Sequence, residues 1–292
     1  MTNLINYAIP GFIALIVAEA VFSAVHNKAL YNTKDAFTSI AMGFGNAGIN
    51  LFAKVIMLVS YDFCFNYHLF NIPTNAWWAW VLVFVLDDFS YYWAHRADHS
   101  IRWFWASHVV HHSSQYYNFS TAVRQTWTNT ITGYFVFYLW LPLLGFEPIM
   151  AMTAHSIGML YQFLIHTETV GKFHPIIEFI FVTPSHHRVH HSSDIKYLDK
   201  NHGGGLIIWD RIFGTFQEET DKPQYGLVNN IQTHNLVKIA FHEWANMWQD
   251  VVRAKSIKDA LMYVFGPPGW SHDGAKLTTV QLRQQEAKKE LG

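Results

Sequence analysis

Eight histidines fall into three short clusters with metal-ligand spacing: His95-x3-His99, His108-x2-His111-His112 and His187-x2-His190-His191. On a helix, side chains three and four residues apart are neighbours on one face. Each cluster can therefore turn its imidazoles towards a single point. Imidazole is the commonest protein ligand for zinc, iron, copper and nickel. A lone histidine on an apolar face is more often a hydrogen-bonded core residue, but three matched clusters are another matter. Packed together without a metal, they would bury polar nitrogens at a cost of roughly 1 to 3 kcal/mol for each one left unpartnered. His166, in Leu-Ile-His-Thr-Glu, is the expected ninth member, and His186 is a further candidate. Eight or nine neutral imidazoles exceed the three or four that one zinc holds, so two metals are implied. The absence of a His-Glu-x-x-His arrangement disfavours zinc proteolysis. Iron suits imidazole and activates dioxygen. The expected chemistry is oxygen insertion into an unactivated C–H bond by a pair of irons above a lipid-lined cleft.

Acids near the clusters are candidates to orient a ligand imidazole through its far nitrogen. Asp88, seven residues before His95 on the same helix face, is one; Glu168 and Asp194 are others. His155, in the middle of an apolar run, reads as a hydrogen-bonded packing residue. Arg124 and Arg188 are expected to meet lipid phosphate or to pair with acids.

The elements that must position these residues are hydrophobic. Charged residues make up 14% of the 292, and the chain has 12 Trp, 14 Tyr and 23 Phe, against roughly 25% charged in ordinary soluble domains. A net charge of −1 and a pI near 7.0 provide no basic field for nucleic acid. The single Cys64 excludes an intramolecular disulfide framework and disfavours a cysteine-ligated cluster. The opening Met1 to Tyr7 lacks a basic segment, so no cleavable signal is expected.

Ile5 to Val25 and Ala36 to Tyr61 are long enough to span a bilayer core, which needs about 20 apolar residues. Trp77 to Trp93, about 24 Å of helix with aromatics at both ends, is a third candidate. Trp127 to Phe146 and Pro148 to Ile165, separated by Glu147, read as a membrane hairpin. Lys28 and Lys34 lie between the first two spans, whereas residues 62–75 contain no Lys or Arg. The loop with the lysines is therefore cytoplasmic, and counting five spans from it places all three histidine clusters on that side. Beyond the spans, Thr183-Pro184-Ser185 is a helix-opening signal, Gly203 to Gly205 reads as a flexible connection, and Leu206 to Phe216 is rich in strand formers. His234 to Val252 reads as an amphipathic helix, and Gln281 to Leu291 as a charged, solvated one.

The histidine pattern resembles that of the fatty acid hydroxylase and sterol desaturase superfamily of membrane di-iron oxygenases. Within it the chain is most similar to the alkylglycerol monooxygenase family. The similarity runs from about Asp87 to Glu218, through Tyr-Tyr-Trp-Ala-His-Arg-Ala (91–97), Tyr-Asn-Phe-Ser-Thr-Ala-Val-Arg-Gln (117–125), Thr-Pro-Ser-His-His-Arg-Val-His-His (183–191) and Leu-Ile-Ile-Trp-Asp-Arg-Ile-Phe-Gly-Thr-Phe (206–216). The resemblance implies two iron ions, a lipid substrate, dioxygen and an electron donor, either tetrahydrobiopterin or a redox protein. It implies hydroxylation of the carbon beside a glyceryl ether oxygen, after which the hemiacetal collapses to a fatty aldehyde and glycerol. Ser100 stands where those ether-cleaving enzymes carry Glu, which bears on the pterin and the substrate. His202 stands where the family has Tyr and is not counted as a ligand.

The fold expected is an all-α integral membrane protein of about five membrane-spanning or embedded helices, with a histidine-rich di-metal site at the cytoplasmic face. Residues 1–292 read as a single membrane-embedded fatty acid hydroxylase-like domain, with its oxygenase core at about 76–218 and a cytoplasmic extension at 219–292. A sterol, fatty-acid or carotenoid hydroxylase or desaturase shares these motifs and is the alternative. A metal transporter or haem carrier is more remote, because the clusters follow the spans rather than lying at their middle.

Overall fold

The computed structural model describes residues 4–290, so the opening Met1 to Asn3 and Leu291, the end of the expected last helix, lie outside the described residues. In chain order the helices are α1 (Leu4–Val25), α2 (Thr33–Phe65), α3 (Trp77–Ser100), α4 (Arg102–His112), α5 (Phe119–Ala122), α6 (Asn129–Thr132), a 3-10 turn (Tyr134–Tyr138), α7 (Trp140–Leu144), α8 (Pro148–Ile165), α9 (Pro175–Ile180), α10 (Pro184–His190), α11 (Ile208–Ile212), α12 (Leu236–Val252), α13 (Ile257–Phe265) and α14 (Thr279–Glu290). Among the described residues there is no strand, only two isolated bridges, Phe181 with Leu206 and Ser192 with Tyr225.

Three helices, α1, α2 and α8, are long and apolar enough to cross a membrane. Their outward faces carry large apolar side chains: Phe52 of α2 is 77% exposed, an arrangement that suits lipid rather than water. α2, with 33 residues, is roughly 50 Å long at about 1.5 Å per residue and outruns the hydrocarbon core. α3 is continuous, as expected, and runs on through His95 and His99. Its two mid-helix acids turn inward: Asp87 lies 3.4 Å from His155 of α8, outside hydrogen-bond geometry, so His155 packs there without the hydrogen bond expected of it.

Two sequence expectations fail here. Trp127 to Phe146 is not one helix but three short pieces, α6, the 3-10 turn and α7. Pro142 has no N–H to continue the ladder, and Gly145, at φ 115°, ends α7 against the Phe70 carbonyl. A Cβ there would sit 1.8 Å from that oxygen. The hairpin therefore has one full helical arm, α8. Leu206 to Phe216, though rich in strand formers, forms no strand, in keeping with the all-α fold expected: Asp210 accepts from His202 N, Gly203 N and Thr215 Oγ1 at 2.6–2.8 Å and folds the stretch into a turn around α11. The preceding glycine triplet is no flexible link. It is packed so closely that a Cβ on Gly204 would lie 2.7 Å from Tyr91.

The main core lies between α2, α3, α7 and α8, around Tyr61, Val83, Tyr138, Leu141 and Met150. α12 packs on α4, where Arg102 donates to Glu243 at 2.7 Å and pairs with Asp250 at 2.8 Å.

Candidate metal centre

Local chain signals bring the clusters together. His95 and His99 occupy the last turns of α3. Ile101, at φ −124° and ψ 120°, breaks the helix for one residue, and α4 turns back so that His108 Nε2 lies 3.0 Å from His95 Nε2. Thr183 and Pro184 open α10, as their sequence signal indicated, and carry His187, His190 and His191 in. His166 caps the end of α8.

The result is two groups of imidazoles. His95, His99, His108, His112 and His190 form one; His111, His166, His187 and His191 form the other. Within each group the inward ligand atoms lie within 4.8 Å of one another. The adjacent pairs split: His111 joins one group and His112 the other, and His191 and His190 do the same. All nine histidines expected as ligands are thus brought into one group or the other.

The outward nitrogens settle the tautomers. Carbonyl oxygens only accept, so Nδ1–H donates from His95 to His202 O at 2.8 Å, from His190 to Lys200 O at 3.0 Å, from His111 to Arg124 O at 3.3 Å and from His166 to Gln162 O at 2.6 Å. Each Nε2 is then a bare lone pair pointing inward. Yet His166 Nε2 lies 3.1 Å from His111 Nε2. Lone pairs opposed at this distance repel, and the Nε2 atoms of His99, His190 and His191 have no hydrogen-bond partner among the described residues. A cation shared within each group resolves both problems. Burial, followed in most cases by the neighbouring imidazoles, pushes His108, His112, His187, His190 and His191 well below the usual histidine range, and burial takes His111 down to about 4. The direction of these shifts favours the neutral, coordinating form of those six imidazoles. The donor set fits metal ions such as iron.

The other candidates lie elsewhere. His186 caps its own helix, accepting from Thr183 N at 3.3 Å, and faces Glu178 at 3.0 Å. Asp88 touches no ligand; it accepts from Gly205 N, Leu206 N and Trp209 Nε1 at 2.6–3.0 Å and so pins the glycine triplet. Glu168 pairs with Lys222 at 3.2 Å, and Asp194 accepts from Ser192 Oγ and Gln224 N at 2.9 Å. Arg124 and Arg188 both pair with acids, Asp35 at 3.2 Å and Glu219 at 2.7 Å, rather than facing outward to lipid. Ser100 is exposed at the end of α3.

Residues 80–215 match the sequence profile of the family described as fatty acid hydroxylase. They form a fatty acid hydroxylase domain. Around this domain the chain is 40% identical over 269 residues to the alkylglycerol monooxygenase of Homo sapiens and 39% identical over 269 residues to that of Danio rerio. Each alignment covers 91% of this chain and 60% of the relative. An ornithine lipid hydroxylase of Rhizobium tropici is 33% identical over 145 residues, 47% of this chain and 41% of its own length. The chain thus spans about 60% of the length of the alkylglycerol monooxygenases it matches. No solved structure matches it.

Sequence reasoning missed several partners of the hydroxylase domain's imidazoles. Asp199 Oδ1 accepts from His99 Nδ1 at 3.3 Å, and Asp98 Oδ2 lies 3.7 Å from His108 Nδ1. Asp98, adjacent to His99, carried a readable signal. The backbone acceptors of Arg124, Gln162, Lys200 and His202 carried none. His202 lies outside both groups, but its ring stands beside the five-histidine group, 5.1 Å from that of His99 between centroids.

Proposed function

We propose that this chain is a membrane di-iron oxygenase that hydroxylates a lipid C–H bond, with a glyceryl ether as substrate. The observation that carries the reading is the pair of buried imidazole groups, in which the lone pairs of His111 and His166 oppose one another and the Nε2 atoms of His99, His190 and His191 have no partner among the described residues. His95, His99, His108, His112 and His190 hold one iron, and His111, His166, His187 and His191 hold the other. When bound, the irons supply the activation of dioxygen that attack on an unactivated C–H bond requires. The protein's part is positioning: outward hydrogen bonds from Nδ1 orient His95, His99, His190, His111 and His166. The similarity to alkylglycerol monooxygenases and an ornithine lipid hydroxylase supports a lipid substrate. Dioxygen is the co-substrate, and tetrahydrobiopterin is the proposed electron donor, with a redox protein as the other choice at an exposed Ser100.

The centre is proposed to face the cytoplasm from a bundle of five spanning or embedded segments: α1, α2, α3, the Tyr134–Leu144 stretch and α8. Support comes from the α1–α2 junction, which carries Lys28 in the loop and Lys34 in the first turn of α2 and lies beside the histidine groups, where Ser114 donates to Asp35 at 2.6 Å and Asn118 to Leu30 O at 2.8 Å. Residues 1–292 are read as one unit, core 76–218 and extension 219–292, because Arg102 ties α4 to α12.

The test is to load the purified protein with iron and incubate it in lipid with a 1-O-alkylglycerol and dioxygen. Either tetrahydrobiopterin or a ferredoxin with its reductase is supplied, and long-chain aldehyde is assayed. Aldehyde is expected with the pterin. Oxidation of a sterol or free fatty acid instead, with no aldehyde under either donor, overturns the substrate.

A further inference from the structure

A short loop between α10 and α11 serves the five-histidine group in a way its sequence does not announce. From Asp199 the chain passes through two left-handed non-glycine residues, Asp199 at φ 50° and Asn201 at φ 56°. Such residues cost of order 1–2 kcal/mol each and persist only where their surroundings hold them. Here the hold is visible. Asn201, fully buried, donates from Nδ2 to His186 O at 3.1 Å and Gln217 O at 2.8 Å, and accepts from Gln217 N at 2.8 Å. On the other side Arg283 of α14 donates to the carbonyls of Ile195 and Leu198, so the charged C-terminal helix is tied to this loop.

The held conformation presents three acceptors in four residues. Asp199 Oδ1, Lys200 O and His202 O receive Nδ1–H from His99, His190 and His95 at 3.3, 3.0 and 2.8 Å. All three donors belong to the five-histidine group. The Nδ1 acceptors of the other group come from different elements: Arg124 O beyond α5 and Gln162 O in α8.

We propose that Asp199 to His202 is an orienting strap for one metal position only, and that Asp199 is its positioning residue, acting through His99. The strap fixes which nitrogen of three imidazoles carries the proton and which faces the metal. This inference rests on the nine histidines being ligands.

Asp199→Gly removes the carboxylate while tolerating the left-handed backbone, whereas Asp199→Asn keeps both an acceptor and that backbone. Full-length wild type and variants are purified in detergent, loaded with iron(II), and compared by iron content, Mössbauer spectrum and thermal unfolding of the metal-free protein. In Asp199→Gly one of two iron signals is expected to shift, with affinity at that position falling about 10- to 100-fold. The other signal and the metal-free unfolding temperature stay unchanged. Asp199→Asn is expected to restore the wild-type spectrum, and Arg283→Ala, which removes the bonds to the Ile195 and Leu198 carbonyls, to perturb the same signal more weakly. Unchanged signals in Asp199→Gly overturn the inference. So does equal loss of both irons with no rescue by Asn, the mark of a merely structural residue. A wild type that binds no iron overturns the reading of the centre itself, and the strap with it.

Discussion

Removing His166 should cost the protein one metal and spare the other. Its Nε2 lies 3.1 Å from both His111 and His187, which puts it at the hub of the four-histidine group, and it contributes nothing to the group of five. His166→Ala leaves three imidazoles at one position and five at the other, so iron content should fall from two to about one per chain. His108 is the matching hub, 3.0 Å from His95 and 3.1 Å from His112, but removing it leaves four imidazoles, enough for an ordinary tetrahedral site. His108→Ala should keep both irons at saturation and surrender one to a chelator first. Bound metal at 100 times its dissociation constant stabilises a protein by about 2.7 kcal/mol, so His166→Ala should also lose roughly that much of the iron-dependent rise in stability. Elemental analysis of protein equilibrated with excess iron(II), followed by a timed chelator challenge, reads both effects. Two irons retained in His166→Ala, or identical behaviour in the two variants, would refute the division into groups.

The metal-free protein should be acid-labile. His111 has a folded pKa of about 4 against an ordinary 6.5, so its contribution is complete above pH 6.5 and is lost as pH falls towards 4, about 3 kcal/mol from this residue alone; thermal unfolding from pH 7.5 to 4 checks it, and a flat profile contradicts it. Asp35→Ala strands the buried Arg124 guanidinium and should destabilise by about 3–5 kcal/mol, visible as a lowered unfolding temperature in detergent. Gly145→Ala forces a side chain into the Phe70 carbonyl at φ 115° and should cost more than about 2 kcal/mol, whereas Gly48→Ala, with nothing within 4 Å of its new Cβ, should be neutral or stabilising in α2. Cysteines placed at the exposed Lys34 and Gln115 should label from the same side of the membrane, and one at Asn71 from the other; opposite labelling of Lys34 and Gln115 would break the proposed orientation.

What the sequence made legible was what repeats at helical spacing. The histidine clusters, α1, α2, α8 and the opening of α10 all follow from side-chain identity, and all stand where the spacing put them. What was not legible shares a cause, which is dependence on partners far along the chain. Trp127 to Leu144 has a spanning helix's composition, but its shape answers to the Phe70 carbonyl. Leu206 to Phe216 has strand formers, but Asp210 gathers three donors around itself. Asp88 was placed on the correct helix face and given the wrong partner, because the glycine loop that claims it lies more than a hundred residues away. Carbonyls that orient imidazoles belong to every residue type and leave no trace in composition.

The His111-His112 and His190-His191 dipeptides act as rulers. In each, neighbouring residues, about 100° apart around a helix axis, are dealt to different groups, so the spacing between the two groups is written into the peptide unit itself. Neither group can slide relative to the other without unwinding α4 and the end of α10 together. Inserting a single residue between His111 and His112 would swing everything beyond it by another 100° and leave one group without its member, although every histidine would still be present. Tolerance to change at this centre is therefore a matter of register before it is a matter of chemistry. Two dipeptides on different helices enforce the same spacing, and a shift in one could be matched only by a shift in the other.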